Sequence, residues 1–331
     1  MTLYERRLKR LPSRFGPDRN PNRRHRAGAA RSEALARVEW DMPKLVWLNG
    51  QVTPLESAVT SVADHAHLYG DGLFEGIRFY KRKVFKLDEH LDRLYHGAHF
   101  LGFEMKLSQH ELRDHTLEML RQADMEDGYI RINVTRGTGL GLDPTHIDLT
   151  PNVMIMVSSL SLYPKERYEK GIEVVTTPIR VFPPDCLDPR LKCIGRYAAN
   201  ILAKQFANRV GAGDGLMLNC QGYVAEGTGN NVFLATGGVL QTPHASCGIL
   251  KGITRDTVID LAKEAGYTVI EETLTTFDFY RADEAFFTGT ATEVMPIVKL
   301  DGNKIGCGRP GEVTLNLMSR FRKATESGVP F

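Results

Sequence analysis

Apolar and polar residues alternate with a period of two where the regular part of the chain begins, and this alternation predicts two β-hairpins. In LVWLNGQV, residues 45–52, two short apolar runs flank Asn49-Gly50, a pair that favours a tight two-residue turn. In GIRFYKRKVFKL, residues 76–87, a Lys-Arg-Lys stretch separates two runs rich in aromatic and β-branched residues. Both segments therefore predict a strand, a turn and a second strand.

Apolar residues recur at helical spacing in five later segments. In the first, Leu91, Leu94, Ala98 and Leu101 form one stripe. The other predicted helices cover 108–123, 196–210, 253–266 and 313–325. Short β-like runs lie between the helices and outnumber strand–helix–strand units. The predicted fold class is therefore α+β rather than a doubly wound parallel sheet.

Length and composition favour a globular protein with two domains. A chain of 331 residues exceeds the usual size of a single core, and its hydrophobic and charged fractions, 42% and 25%, are ordinary. The composition changes at SLYPKERYEKG, so we expect an N-terminal domain at 42–162, a linker at 163–175 and a larger domain at 176–331. No apolar run reaches the roughly 18 residues that a membrane-spanning helix needs.

Charge is unevenly distributed along the chain. Of 42 basic and 40 acidic residues, 11 and 3 lie in residues 1–38, which leaves 31 and 37 in the remainder. This mildly acidic remainder argues against a nucleic-acid-binding body. We expect residues 1–41 to be a disordered basic extension. Three interpretations of this extension are a basic arm for nucleic acid, a targeting segment, and an extension without function that precedes a true start at Met42. Its three acidic residues argue against the targeting interpretation, and we favour the extension without function.

The five cysteines are odd in number and include no Cys-x-x-Cys pair. This pattern fits free thiols in a reducing compartment better than a disulfide framework or a zinc site. We therefore expect a cytoplasmic protein without a bound metal.

Two loops carry hydrogen-bond donors suited to an anion. Gly252, Ile253 and Thr254 begin a predicted helix, where free N–H groups and the helix dipole favour a negative ligand. A plain N-cap at Thr254 explains the same residues. Thr290 follows an apolar strand in FFTGTATE, which is also typical of an ordinary polar turn.

Three charged residues are candidates for chemistry, each with an ordinary explanation beside it. Lys192 lies between Leu191 and Cys193, an apolar neighbourhood that suits an amine nucleophile, although most lysines are solvated surface residues. Glu226 ends an apolar strand, where it is either solvated or a fixed partner for a cationic ring nitrogen. Arg93 lies off the apolar stripe of its helix and is expected to be solvated by default.

Taken together, these segments resemble the class IV (fold-type IV) pyridoxal-phosphate aminotransferases, and among them the branched-chain amino acid aminotransferases. The similarity runs from about residue 45 to about residue 322, and residues 1–41 lie outside it. The matching segments, in the family's order, are LNGQV, YGDGLFEGIRFY, EHLDRL, YIRINVTRG, GLGLDP, DPRLK, YVAEGTGNNVF, GITRDTVIDLAKEAG, ADEAFFTGTATEV and IGCGRPGEVT. The resemblance implies a D-amino-acid aminotransferase-like fold, with a smaller N-terminal α/β domain and a larger C-terminal domain that holds a barrel-like sheet and binds pyridoxal 5'-phosphate.

The resemblance also implies roles for individual residues. It places the Schiff-base lysine at Lys192 and the carboxylate that faces the pyridine nitrogen at Glu226. The residues that face the phosphate or the phenolic oxygen of the cofactor would be Arg93, Tyr197, Ile253, Thr254 and Thr290. The substrate-side residues would be Tyr69, Phe74, Arg78, Tyr129, Arg131, Thr290 and Ala291.

The chain departs from part of the family around the lysine. Lys192 and Tyr197 are five residues apart, as in one branch, whereas many archaeal-type members space the pair by four. Arg196 replaces the asparagine that usually precedes this tyrosine.

The segment YGDGLFEGIRFY, residues 69–80, resembles a phosphate loop only at first sight. Its GxGxxxG spacing differs from the phosphate fingerprints, and the residues that follow predict a strand rather than a helix. Period-two alternation places Phe74, Gly76, Arg78 and Tyr80 on one face. We therefore expect one wall of a substrate pocket here, with a gap at Gly76 that suits an apolar amino acid.

The implied activity is transamination of Leu, Ile and Val with 2-oxoglutarate by a homodimer or homohexamer that acts on small molecules. A D-amino-acid aminotransferase and an aminodeoxychorismate lyase are alternatives on the same fold. The former typically has an Arg-x-His pair after its TRG run, where this chain has TGLGLDP. A non-catalytic cofactor-binding or nucleic-acid-associated protein is a remote alternative, against which Lys192 and Glu226 argue.

Overall fold

The computed structural model describes residues 42–144 and 149–331. The predicted extension at 1–41 lies outside the described residues. The first described residue is Met42, the suggested start. Within the described part of the chain, no helix is both long enough and apolar enough to cross a membrane.

The described residues form eight α-helices. In chain order, α1 to α8 cover His65–Tyr69, Leu87–Phe100, Gln109–Ala123, Lys165–Lys170, Tyr197–Val210, Ile253–Glu264, Thr276–Arg281 and Glu312–Ala324. All five helices predicted from apolar spacing are confirmed, with ends that coincide or differ by at most three residues. The capping box of Ser108 and Glu111 fixes the start of α3, because each side chain binds a backbone N–H of the other residue.

Sixteen strands join the helices in the same described ranges. In chain order, β1 to β16 cover Leu45–Leu48, Gln51–Pro54, Gly72–Tyr80, Lys83–Val84, Gly128–Thr135, Asn152–Ser158, Ile172–Arg180, Asp214–Leu218, Val224–Gly227, Asn231–Thr236, Val239–Pro243, Thr268–Glu272, Glu284–Gly289, Glu293–Leu300, Asn303–Lys304 and Val329–Pro330.

The first sheet has seven antiparallel strands in the order β16-β4-β3-β5-β6-β1-β2. Both predicted hairpins are confirmed within it. Their two-residue turns, 49–50 and 81–82, have positive φ at both central residues, which matches the right-handed twist of the flanking strands. Strand β3 runs along β5 in a register that sets Gly76 opposite Arg131.

The second sheet is mixed and has nine strands. Its main path is β12-β11-β10-β13-β14-β7-β8-β9, and β15 pairs with β14 at one side. The pairs β11–β12, β14–β7 and β7–β8 are parallel, and the others are antiparallel. Two sheets with helices outside a doubly wound order confirm the predicted α+β class.

Packing against the two sheets fixes the positions of helices α2 and α6, which carry candidate site residues. The predicted stripe on α2 is buried at Leu91, Leu94 and Ala98 in the core of the first sheet. This burial fixes the opposite edge of the helix, which carries Arg93. Helix α6 buries Val258 against strands of the second sheet and so fixes its own first turn.

The predicted domain boundaries at 42–162, 163–175 and 176–331 stay a prediction. The segment 163–175, expected as a linker, contains all of α4 and the first residues of β7. The last strand, β16, pairs with β4, so the end of the chain returns to the first sheet.

Candidate active site

One pocket brings together the seven predicted cofactor-binding residues, which come from five separate parts of the chain. Glycine and asparagine residues of the EGTGNN segment, residues 226–231, complete its wall. The seven predicted residues that line it are Arg93, Lys192, Tyr197, Glu226, Ile253, Thr254 and Thr290.

Lys192 is held by backbone contacts with the start of β3. The Phe74 N–H donates to the Lys192 carbonyl at 3.0 Å, and Cys193 forms a β-bridge with Leu73. The Lys192 Nζ donates to the Tyr197 Oη at 2.9 Å and lies 4.6 Å from the centre of the Phe74 ring. The predicted apolar neighbourhood is confirmed, since Leu191 and Cys193 are both buried.

Glu226 is a buried carboxylate whose two oxygens both accept hydrogen bonds. The Arg196 Nη2 donates to Oε1 at 2.7 Å, and the Leu250 N–H donates to Oε2 at 2.8 Å. Burial raises the pKa of Glu226, and the Arg196 guanidinium opposes that rise. The solvated alternative is wrong, because Glu226 is only 5% exposed. Sequence reasoning missed this partnership, since the two residues lie thirty positions apart.

The first turn of α6 offers unpaired backbone donors to the pocket. Its first helical hydrogen bond runs from the Asp256 N–H to the Gly252 carbonyl, so the N–H groups of Ile253 and Thr254 have no helical partner. The N-cap is Gly252 and not Thr254, so the plain N-cap explanation is wrong. A Cβ at Gly252 would lie 2.0 Å from the Asn231 Oδ1, so a larger residue would have to displace the Asn231 side chain.

Arg93 reaches the pocket from α2 and is held by a carboxylate that sequence reasoning missed. Its Nε and Nη2 donate to the two oxygens of Glu75, at 2.7 and 2.8 Å. Its Nη1 donates to the Lys251 carbonyl at 3.0 Å, which places the guanidinium beside the start of α6. The expected solvated position is wrong, since the side chain is only 17% exposed.

Glu75 is fully buried and also binds His90. Burial alone would raise the pKa of Glu75, but Arg93 and His90 hold it well below its ordinary value. Burial also lowers the pKa of His90. A neutral His90 donates its Nδ1–H to the Glu75 Oε2, 2.7 Å away, because a carboxylate can only accept.

Three of the predicted substrate-side residues cluster next to Lys192. Phe74 packs edge-on against Tyr197 with ring centres 4.7 Å apart, and the Arg131 guanidinium carbon lies 3.5 Å from the Phe74 ring centre. The expected gap at Gly76 is wrong. A Cβ at Gly76 would lie 1.9 Å from the Tyr129 Oη, so the tyrosine hydroxyl already fills the space.

Thr290 lines the pocket itself, and the remaining three, Tyr69, Arg78 and Ala291, do not. Arg78 and Ala291 line a second cavity with Leu160 and Tyr168. Tyr69 is 44% exposed, and its Oη accepts a hydrogen bond from the Gly141 N–H at 3.1 Å. Within the described chain the structure therefore does not bring Tyr69 to Lys192.

A buried aspartate that sequence reasoning missed supports the pocket wall. Asp214 is 1% exposed and accepts hydrogen bonds from the Thr228 hydroxyl at 2.5 Å and the Asn230 amide at 2.8 Å. The Thr292 hydroxyl donates to the same asparagine. The asparagine therefore ties the EGTGNN segment to the loop that carries Thr290, rather than serving a turn alone.

This geometry defines a class of protein: an α+β enzyme with a lysine amine, a buried carboxylate and an anion site in one pocket. The chain belongs to the class IV aminotransferases, whose family model matches residues 72–300. It is 45% identical over 278 residues to the putative branched-chain-amino-acid aminotransferase of Methanocaldococcus jannaschii. That alignment covers 84% of this chain and 95% of the other protein.

Solved structures agree with this assignment. The T.th. branched-chain amino acid aminotransferase with pyridoxamine 5'-phosphate has a TM-score of 0.82 and 37% identity. The same enzyme complexed with N-(5'-phosphopyridoxyl)-L-glutamate has a TM-score of 0.81 and 36% identity. Each alignment covers 86% of this chain and 94% of that chain. The fold is therefore the expected fold-type IV arrangement, and the cofactor is pyridoxal 5'-phosphate.

The residues present fit this cofactor. The Thr288 Oγ1 is buried in the pocket without a hydrogen-bond partner among the described residues. Together with the free N–H groups of α6 and the Arg93 guanidinium, it supplies the donors and positive charge that a phosphate needs. Lys192 and Glu226 supply an amine and a carboxylate in the same space.

Proposed function

We propose that the protein transfers the amino group of branched-chain L-amino acids (Leu, Ile and Val) to 2-oxoglutarate, which yields the branched-chain 2-oxo acids and L-glutamate. The observation that carries this proposal is the pocket that holds the Lys192 amine, the Glu226 carboxylate and the anion-binding start of α6 together. The branched-chain-amino-acid aminotransferases to which the chain is similar support the choice of substrate class.

Lys192 performs the proton chemistry in this proposal. Bound pyridoxal phosphate supplies an electron-accepting ring for the electrons of the bond broken at the substrate α-carbon. The Lys192 amine would hold the cofactor between turnovers. It would take the proton from the α-carbon of the amino donor as a general base and deliver it to the cofactor C4′ as a general acid, and it would move the proton in the reverse direction when 2-oxoglutarate is the acceptor. Tyr197, hydrogen-bonded to the amine at 2.9 Å, orients it.

Glu226 and the anion site hold the two ends of the cofactor. The carboxylate would keep a proton on the ring nitrogen, which strengthens the ring as an electron acceptor. The Arg93 guanidinium and the N–H groups of Ile253 and Thr254 would hold the phosphate, with Thr290 in the same pocket lining. These contacts would fix the position of the ring and take no part in bond making.

The substrate side combines an apolar wall with positive charge. Phe74 and the Tyr129 ring offer apolar surface, and Arg131 lies over Phe74, within reach of a substrate carboxylate. Burial lowers the pKa of Arg131, and the neighbouring Tyr129 opposes that change. The roles of Tyr69, Arg78 and Ala291 stay predictions.

A transaminase screen tests the proposed function. Purified protein with pyridoxal phosphate is assayed with L-Leu, L-Ile, L-Val and D-Ala as amino donors and 2-oxoglutarate as acceptor. We expect L-glutamate from the three branched-chain donors and none from D-Ala. Lys192→Ala should abolish turnover, while Lys81→Ala, which removes a lysine whose side chain is 73% exposed and paired with Glu326, should keep it. Transamination by Lys192→Ala, or a preference for D-Ala, would refute the proposal.

We also propose a homo-oligomer in the cytoplasm. Val59, Val62, Leu140 and Leu142 are each more than 70% exposed around Tyr69, which suits a surface covered by a second copy that shares Tyr69 with the partner's pocket. All five cysteines are free, which suits a reducing compartment. Size-exclusion chromatography with light scattering, on wild type and on Leu142→Glu, tests the assembly: a wild-type monomer would refute it.

A further inference from the structure

Arg196 is buried behind the pocket rather than in its lining. The residue is 3% exposed, and its Nη2 donates to the Glu226 Oε1 at 2.7 Å. The same guanidinium donates to the carbonyls of Pro189 and Gly248. Glu226 lines the pocket, whereas Arg196 does not. The arginine therefore acts on whatever the carboxylate binds, without touching it.

The carboxylate is fixed at both oxygens and still has capacity for a ligand. The Leu250 N–H occupies one lone pair of Oε2 at 2.8 Å, and Arg196 occupies one of Oε1. Each carboxylate oxygen has two acceptor sites, so one remains open on each. Glu226 is thus aimed by two rigid donors, of which only Arg196 carries a net charge.

We propose, on the basis of the function proposed above, that Arg196 is a positioning residue that keeps Glu226 ionised and so holds the shared proton on the pyridine nitrogen of the cofactor. The proton between the carboxylate and the nitrogen has two positions. In the ionic arrangement the carboxylate is negative and the ring nitrogen positive, and in the neutral arrangement the proton lies on the carboxylate.

Distance decides which arrangement Arg196 favours. The guanidinium is in direct hydrogen-bond contact with the carboxylate, and a ring nitrogen bound by Glu226 in the pocket would be farther from it, because Arg196 does not line the pocket. The attraction to the negative group therefore exceeds the repulsion of the positive one. Burial acts in the opposite direction, because a low-dielectric site disfavours the charged carboxylate. Removal of the Arg196 charge should therefore move the proton toward Glu226.

The other charges around Glu226 do not replace Arg196. Lys192 acts on Glu226 across the pocket, but its amine is the group that engages the cofactor. The Leu250 N–H contributes a dipole only.

The test uses the full-length holoenzyme reconstituted with pyridoxal phosphate labelled with ¹⁵N in the ring. The ¹⁵N chemical shift distinguishes a protonated from a neutral pyridine nitrogen. Wild type, Arg196→Lys and the control Arg209→Gln, on the exposed end of the same helix, should all show a protonated nitrogen at pH 8. Arg196→Met should shift toward the neutral signal, and Arg196→Lys should restore it.

Kinetics provide a second readout. Because a neutral ring is the weaker electron acceptor, we expect kcat for L-Leu to fall about tenfold in Arg196→Met, with KM little changed. A purely structural role would lower the yield or the melting temperature without moving the ¹⁵N signal. An Arg196→Met signal identical to that of wild type overturns the proposal, whatever the activity.

Arg196→Asn serves if Arg196→Met does not fold, and it is judged by the same shift. A neutral ring nitrogen in wild-type holoenzyme at pH 8 also overturns the inference. Failure of the proposed function looks different: wild type would then bind no pyridoxal phosphate or transaminate none of the branched-chain donors.

Discussion

Replacement of Glu75 by glutamine tests whether a buried carboxylate holds the proposed phosphate-binding arginine in place. Glu75 lies in β3, is fully buried, and accepts two hydrogen bonds from Arg93 and one from His90. Glutamine has nearly the same shape but offers one acceptor oxygen, and its amide nitrogen would face a donor. The substitution therefore removes the negative charge and one of the hydrogen bonds while it preserves volume.

The expected loss follows from the burial of the pair. Removal of one partner of a buried ion pair costs about 3–5 kcal/mol, because the other charge is left uncompensated. Arg93 keeps its bond to the Lys251 carbonyl and is 17% exposed, so water partly compensates its charge. We therefore expect about 3 kcal/mol, at the lower end of that range. A less rigid Arg93 should also weaken cofactor binding.

Urea denaturation, monitored by circular dichroism, measures the free energy of unfolding. Titration with pyridoxal phosphate measures the affinity of the protein for this cofactor. The matched control is Asp124→Asn, which breaks a surface pair with Arg82 of similar length, 2.9 Å, between side chains that are 84% and 39% exposed. That control should cost less than about 1 kcal/mol. Equal and small losses for Glu75→Gln and Asp124→Asn would refute the reasoning.

Three further substitutions probe close contacts and titration. Gly252→Ala keeps a permitted φ of −77° but places a Cβ 2.0 Å from the Asn231 Oδ1. The dissociation constant of pyridoxal phosphate should therefore rise about tenfold, equivalent to about 1.4 kcal/mol. An unchanged dissociation constant in a fluorescence titration would contradict this prediction. Gly76→Ala must displace the Tyr129 hydroxyl, so kcat/KM for L-Leu should fall while thermal unfolding shows a loss of about 1–3 kcal/mol; normal kinetics would place Tyr129 outside the substrate pocket. Burial lowers the pKa of His90 in the folded state. Below the unfolded-state value of about 6.5 the unfolded chain therefore binds more protons, so stability falls as the pH falls. His90→Gln should remove that part of the pH slope in urea denaturation between pH 8 and pH 5, and an unchanged slope would contradict it.

Local patterns predicted the elements but not the pairs that complete the site. The hairpin turn at Asn49-Gly50 and the helix at 87–100 depend on neighbours in sequence, and both are confirmed. The resemblance placed seven residues that the structure brings into one pocket. It gave no indication of the Glu226–Arg196 pair, because no local pattern links charges thirty residues apart. The gap at Gly76 was wrong for a related reason, since the tyrosine that fills it comes from the neighbouring strand.

The ion pairs Arg93–Glu75 and Glu226–Arg196 at the pocket have the same arrangement with opposite charges. At one end of the pocket Arg93 is presented to the interior and its partner Glu75 is hidden behind it. At another position Glu226 is presented and its partner Arg196 is hidden.

Glu75 and Arg196 each offset the cost of burying the opposite charge. Their partners, Arg93 and Glu226, line the pocket. The α6 start adds positive character beside Arg93 through its free N–H groups. The pocket therefore suits a ligand with an anionic group at one end and a protonated nitrogen elsewhere, which is the charge pattern of pyridoxal phosphate in its electron-accepting form. Exchange of the charges within one pair, as in Glu226→Arg with Arg196→Glu, would keep an ion pair yet reverse the polarity. It should abolish cofactor binding in the same titration, even if the folded protein persists.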